Sequence, residues 1–404
     1  MIEKLTTRYD PSYVKAIENN QCNRCFSKRI FLDSQNVSYC IECFGMGEVN
    51  SLMYLKRTKR KVVINPFEIE LDFSLSDYQL RGSEFFLGCY KRKKSAFLQA
   101  VCGAGKTEMI LELIKLAIES GDVVCFCIPR VEIIKQIADR LKKYLPKLKI
   151  CVLHGDKKII DDSPLIITTP QQLINFYHEF DLMIIDEVDA FPYSGNPFLE
   201  RLVHKSMNFN ALLFVMSATI TTELSKLIKT KQIEYFEIFV RYHLRELPVP
   251  RLKKSLFFMS DLALAEIIRL SRDKQKLIVY VSSIKQAQSL SNKLNSLNFK
   301  NQIISSKTVY KNEVIKGFEA DDFNIIVSTT ILERGVTFAN LNVLVLEADH
   351  SVFSTSTLIQ IAGRVGRNEM FGEIIFLSKY KSKAMLEAID KIKEKNQKYA
   401  MQTM

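Results

Sequence analysis

No apolar run in this 404-residue sequence approaches the roughly 18–20 residues that a membrane-spanning helix needs. The opening residues, MIEKLTTRYD, lack the apolar core of a signal peptide. Neither short internal repeats nor low-complexity tracts occur. These absences predict a globular protein kept in the cytosol. In that compartment the nine cysteines are not expected to pair as disulfides. Five of them (Cys89, Cys102, Cys125, Cys127, Cys151) are scattered, and Cys125 and Cys127 in VVCFCI read as small buried hydrophobes.

What is present is length, apolar material and positive charge. A single core rarely grows past about 250–300 residues, so the chain predicts two or three domains. Hydrophobic residues make up 47%, enough for more than one core. The net charge of +12 favours a polyanionic partner, with nucleic acid and anionic lipid as the candidates.

Three parts follow one another. Residues 1–60 hold four patterned cysteines and run into the basic stretch Lys56, Arg57, Lys59, Arg60 and Lys61. Residues 61–245 alternate apolar runs (SAFLQA, VVCFCI, KICVL, PLIITT, DLMIID, ALLFVMSAT) with helical patterns such as EMILELIKLAIES. Runs that are apolar throughout predict a parallel sheet buried on both faces. RELPVPRLKK reads as a linker. Residues 246–404 repeat the alternation with KLIVYVSS, NQIIS, NIIVST, NVLVLEA and GEIIFL. The predicted class is α/β, with two parallel-sheet lobes joined by a short linker behind a small four-cysteine module.

The chemistry is concentrated in a few motifs. AVCGAGKTE (100–108) follows a strand and opens a helix, matching G-x-x-x-x-G-K-[ST] with Ala100 in the first glycine position. Gly103, Ala104 and Gly105 would let backbone N–H groups approach phosphate. Lys106 would neutralise the β- and γ-phosphates of ATP, and the Thr107 hydroxyl would ligate Mg²⁺. DLMIIDEVDAFP ends a strand on Asp186, a second Mg²⁺ ligand, with Glu187 placed to orient or deprotonate the attacking water. Asp189 is expected to report hydrolysis to the rest of the machine. QIAGRVGR (360–367) supplies Gln360, Arg364 and Arg367. On a helix these three share a face, with one or both arginines acting as an arginine finger and making hydrolysis depend on lobe closure.

Cys22-x-x-Cys25, fourteen residues, then Cys40-x-x-Cys43 is zinc-ribbon spacing, and four thiolates close a tetrahedral Zn²⁺ site with no open position. A redox pair is the alternative, but a duplicated CxxC in an appendage lacks the thioredoxin-like context. The module reads as folding apart from the two lobes, which are expected to survive its loss.

Motif order from about residue 75 to 380 resembles the superfamily 2 helicases. The resemblance implies that Gln79 in LSDYQ reads adenine and that IPR (128–130) and TTPQQL (168–173) face a nucleic-acid backbone. It also implies that Ser217-Ala218-Thr219 couples hydrolysis to movement, and that VYVSS (279–283) and STTILERGVTF (328–338), with Thr330, Arg334 and Gly335, complete the second lobe. Thr337 stands where many members carry an acidic residue, and DEVD departs from DEAD and DEAH.

With the four-cysteine module in front, CGAGKTE, IIDEVDAFPY, TTILERGVTF and QIAGRVGR together resemble the ComFA family of late competence proteins. That resemblance implies an ATPase stimulated by single-stranded DNA that drives an incoming strand through the uptake channel. It places the protein in the cytoplasm or peripherally at the inner face of the membrane, with ComFC, DprA and the channel as partners. Two rivals remain at this point. One is a PriA-like replication-restart helicase, whose zinc cysteines would lie inside the core. The other is a zinc-bearing nucleic-acid clamp that uses ATP only as a switch.

Overall fold

The computed structural model describes residues 1–155, 159–190, 192–333, 338, 340–366 and 372–403. Contacts divide the chain into two compact units. The first comprises Met1–Gln99 with Lys106–Glu237, and the second Ala100–Gly105 with Ile238–Met404. The cysteine module thus belongs to the first unit, and the phosphate loop is grouped with the second.

The first unit is built on a seven-stranded sheet in the order Ile150–Leu153, Leu165–Thr168, Val124–Cys127, Phe180–Asp186, Met207–Ser217, Ala96–Ala100, Glu234–Ile238. The first six of these strands run parallel. The apolar runs of the sequence become these strands, and nearly every residue in the central ones is buried, as a sheet covered on both faces requires. Parallel pairing brings Asp186, Ser217 and Gln99 to the same edge, with Asp186 level with Met216 and Ser217 level with Gln99. Ligands of open α/β sheets bind at that edge.

Helix starts carry polar caps. Ser76 caps Asp77–Lys91 with a reciprocal capping box from Gln79, and Asn196 caps Pro197–Ser206. In front lies the module. It has a three-stranded antiparallel sheet of Ile2–Thr6, Tyr54–Thr58 and Val14–Lys15, and two short hairpins that carry Cys22 and Cys40.

The second unit holds a six-stranded, all-parallel sheet in the order Arg251–Lys254, Ile374–Ser378, Leu341–Val345, Lys276–Tyr280, Ile325–Ser328, Asn301–Ile304. Its core is formed by residues such as Leu277, Val279, Ile325, Val327, Leu344 and Ile375. Among the described residues, no helix is long and apolar enough to cross a membrane. Both units are RecA-like α/β lobes.

Candidate functional site

In the first unit, Lys106 opens the helix Lys106–Met109, which is interrupted at Ile110 before Leu111–Glu119 continues. Its ammonium lies 3.0 Å from Asp186 Oδ1, and both side chains are largely buried. Asp186 Oδ1 also accepts from the Glu187 backbone N–H at 2.8 Å. Glu187 sits at φ 54°, in the left-handed region that non-glycine residues occupy at a cost. Thr107 is buried. The Thr107 hydroxyl and the Asp186 carboxylate are hard oxygen donors of the class Mg²⁺ prefers.

The acidic motif is wired onward. Thr219 Oγ1 donates to Asp189 Oδ2 at 2.6 Å. The Thr219 N–H donates to Ser217 Oγ at 3.0 Å. Gln99 Nε2 donates to the Ala218 carbonyl at 3.3 Å and its Oε1 accepts from the Tyr235 hydroxyl at 2.7 Å. Asp189 and the Ser-Ala-Thr segment, far apart in sequence, therefore meet at the strand ends. Glu108, just after the loop, is buried and paired with Arg140 and with the Tyr144 hydroxyl at 3.3 Å. Nothing in the sequence pattern singles out that pair.

Gln79 is used locally. Its Oε1 accepts from the Ser76 N–H at 3.0 Å and from the Ser76 hydroxyl at 3.1 Å. A carboxamide oxygen has two lone pairs, so its acceptor capacity is taken up by the helix cap. The Ser-x-x-Gln spacing was a readable capping-box signal inside LSDYQ.

In the second unit, Gly103 and Gly105 adopt φ of 84° and 76°, which lets the phosphate loop curl closely without a Cβ. Ala104 is buried. Cys102 Sγ donates to Gln360 Oε1 at 2.8 Å. A Cβ added at Gly363 would stand 2.5 Å from Cys102 Cβ, so that contact requires glycine.

Gln360 lies on the helix Thr355–Ala362, and this helix stops before Arg364. The expectation that one helical face carries both Gln360 and Arg364 is therefore corrected. Gly363 caps the helix, the N–H groups of Arg364 and Val365 bond back only three residues, and Gly366 turns at φ 69°. Arg364 is buried within that turn. Arg367, and Arg334, Gly335 and Thr337 of the preceding motif, lie outside the described residues.

A residue that sequence reasoning missed is Arg241, fully buried in the second unit. Its Nη1 donates to the carbonyls of Val365 at 2.7 Å and Gly366 at 2.6 Å. The Gly363 carbonyl lies 3.4 Å from its Nη2.

The cysteine cluster closes as its spacing predicts. The four ligand atoms of Cys22, Cys25, Cys40 and Cys43 lie within 4.8 Å of one another, and all four residues are buried. Cys22 Sγ is 3.9 Å from Cys43 Sγ, and Cys25 Sγ is 3.5 Å from Cys40 Sγ. A tetrahedron with metal–sulfur bonds of about 2.3 Å has edges of about 3.8 Å, so the four thiols fit a Zn²⁺-sized centre. Mutual hydrogen bonding pulls Cys22 and Cys40 below the ordinary thiol range and pushes Cys25 and Cys43 above it.

The module does not stand apart, which corrects the expectation of a separate appendage. Its Ala16, Ile17, Val49, Leu55 and four cysteines share one apolar core with Phe97, Leu173 and Phe176. Lys205 is fully buried against it, donating to Glu3 Oε1 at 2.8 Å, the Arg24 carbonyl at 2.8 Å and the Ile174 carbonyl at 2.9 Å. Glu3 Oε2 also pairs with Arg57 Nε at 2.9 Å. Arg201 pairs with Glu42. Arg60 pairs with Glu179 at 2.7 Å. Two residues of the basic run, Arg57 and Arg60, are therefore structural clamps.

Two family models match: one described as the res subunit of type III restriction enzymes over residues 70–222, and the helicase conserved C-terminal domain over residues 260–369. Competence protein ComFA of Streptococcus pneumoniae is 33% identical over 370 residues, covering 89% of this chain and 85% of that protein. ComFA of Bacillus subtilis is 32% identical over 399 residues, covering 93% and 86%. Two solved structures share the fold. Yeast Dbp5 bound to RNA and ADP BeF3 has TM-score 0.58 at 17% identity, over 80% of this chain and 92% of that one. Mycobacterium smegmatis helicase Lhr bound to single-stranded DNA and AMP-PNP has TM-score 0.59 at 15% identity, over 80% and 50%. The helicase domains imply use of ATP and Mg²⁺ on nucleic acid. This chain belongs to the ComFA family of competence proteins and is a superfamily 2, helicase-like, ATP-driven motor.

Proposed function

We propose that this motor translocates single-stranded DNA and drives its uptake during natural transformation. The observation that carries the reading is the Lys106–Asp186 pair at the strand ends, in a chain one-third identical to a competence protein over most of both lengths. Lys106 would neutralise the β- and γ-phosphates, and Thr107 and Asp186 would hold Mg²⁺, whose charge would offset that of the polyphosphate. Glu187 positions the attacking water and takes its proton. Gln360, Arg364 and Arg367 also serve the nucleotide, with an arginine stabilising charge at the γ-phosphate. Gly335 belongs to the same nucleotide-facing set. Asp189 and Thr219 pass the outcome of hydrolysis to the rest of the motor, which their 2.6 Å hydrogen bond supports.

Cys22, Cys25, Cys40 and Cys43 hold one structural Zn²⁺, the reading their closed, buried, all-sulfur geometry supports. The motor works in the cytoplasm, peripherally at the inner membrane face, with ComFC, DprA and the uptake channel as partners. The test is ATPase rate against single-stranded DNA, duplex DNA and RNA at one fixed salt concentration, because backbone binding is counterion-driven. Strong stimulation by single-stranded DNA is expected, together with displacement of a DNA-bound roadblock during steady hydrolysis. Equal stimulation by RNA, or binding and release without displacement, would reject the translocase reading.

A further inference from the structure

Arg241 lies in the stretch that follows the first sheet's last strand, and no motif marks it. Two backbone hydrogen bonds lay this stretch along the phosphate loop. The Val101 N–H donates to the Ile238 carbonyl at 3.1 Å, and the Tyr242 N–H donates to the Gly103 carbonyl at 3.2 Å. The Arg241 side chain then passes directly over Gly103. A Cβ added there would meet its Cδ at 3.7 Å, its Cγ at 3.8 Å and its Nε at 3.9 Å. Among the described residues, the guanidinium's hydrogen-bond partners beyond Gly103 are carbonyl oxygens, those of Gly363, Val365 and Gly366.

This guanidinium is fully buried, yet no carboxylate pairs with it among the described residues. Its Nε has no hydrogen-bond partner among the described residues. Carbonyl dipoles satisfy part of a buried cation but leave its charge uncompensated, a state costly enough that buried charges are normally paired. Burial pulls its pKa down only to about 10, so it stays cationic at neutral pH. A polyphosphate brought to the loop would supply the missing anion.

We propose that Arg241 is a further phosphate-binding residue of this motor, its guanidinium completing the phosphate loop around Gly103 as an anion-recognising group. The inference rests on the reading of Ala100–Thr107 as the nucleotide phosphate loop. It also explains why the same side chain grips the carbonyls of Gly363, Val365 and Gly366. The cation that senses phosphate holds the turn that contains Arg364, so nucleotide occupancy and the posture of that turn are mechanically joined.

The experiment measures binding of Mg·ATP and of Mg·pyrophosphate to the full chain by titration calorimetry. Wild type is compared with Arg241→Gln and Arg241→Lys. Loss of one charge-assisted contact predicts affinity for both ligands about 10–100-fold weaker in Arg241→Gln, with Arg241→Lys recovering most of it. Wild-type affinity for both ligands in a folded Arg241→Gln protein overturns the inference. Failure of wild type to bind either ligand would instead sink the phosphate-loop reading. A second measurement serves if Arg241→Gln does not fold. The Arg241 Nε–Hε resonance of wild type, identified by its absence in Arg241→Lys, should shift on addition of pyrophosphate. No shift at saturating pyrophosphate also overturns the inference.

Discussion

Glu3→Gln is a near-isosteric change in the first strand, far in sequence from any helicase motif, and it should damage the first unit severely. Glu3 is the single anion between two cations. One oxygen meets Lys205 Nζ at 2.8 Å, the other meets Arg57 Nε at 2.9 Å, and neither Glu3 nor Lys205 is accessible to water. Glutamine keeps the shape and an acceptor but leaves two neighbouring positive charges without a counter-charge. Breaking a buried pair in this way costs about 3–5 kcal/mol. For a unit of this size each kcal/mol moves the midpoint by roughly 2–4 °C, so the melting of the first unit should fall by roughly 6–20 °C.

The deficit carries a pH signature. Burial already lowers the Lys205 pKa below the ordinary 10.5, with the Glu3 charge acting in the opposite direction, so removing Glu3 lowers it further. In the window between that lowered value and 10.5, the unfolded chain binds a proton that the folded chain does not, so stability rises with pH. Calorimetric melts at pH 7 and pH 9.5 should show a smaller Glu3→Gln deficit at the higher pH. A midpoint loss under about 2 °C, or a deficit that grows with pH, would refute the reasoning.

Replacing Cys22 and Cys25 together by alanine should abolish zinc in elemental analysis. It should also lower the first unit's midpoint by roughly 10 °C or more, because the cluster shares that unit's core. Survival of an unshifted melt would return the module to the status of an appendage. Glu187→Gln should keep ATP affinity within about threefold and reduce turnover by about 10²-fold or more. Arg367→Ala should reduce turnover by about 10³-fold with binding retained, both read by steady-state kinetics alongside nucleotide titration. Thr219→Val removes the hydrogen bond to Asp189. Roadblock displacement per ATP hydrolysed should then fall by about tenfold while hydrolysis itself changes little, as expected if the bond couples the two.

Legibility from sequence followed the range of the interactions. The strands were readable because sheets covered on both faces demand uninterrupted apolar runs, and VVCFCI, DLMIID and ALLFVMSAT leave no alternative period. The cysteine cluster was readable because a tetrahedral thiolate centre fixes a local spacing. The turn after Ala362 was not. A helical face was extrapolated through two glycines, and Gly363 and Gly366 end the helix instead. Arg57 and Arg60 looked like part of a basic surface run, because charge along the chain says nothing about which residues find Glu3 and Glu179 across the fold. Arg241 and Lys205 were invisible for the same reason. Their partners are mostly backbone carbonyls, which leave no trace in sequence.

Lys205 shows what such a long-range contact accomplishes. Its ammonium has three donors and meets three acceptors: a carboxylate from the module's first strand, the Arg24 carbonyl inside the first cysteine knuckle, and the Ile174 carbonyl at the turn Pro170–Asn175. A compact ammonium fits three convergent oxygens, whereas a planar guanidinium would present its donors in a fork. The Ile174 turn continues TTPQQL, the segment whose family resemblance implies a nucleic-acid-facing role. Loss of the module's fold would withdraw two of the three acceptors, Glu3 and the Arg24 carbonyl, and leave a buried cation beside that turn. Four sulfur ligands that touch no substrate can in this way set the backbone of a segment that the family resemblance assigns to nucleic acid, because the charge that locks that segment is neutralised by the module itself.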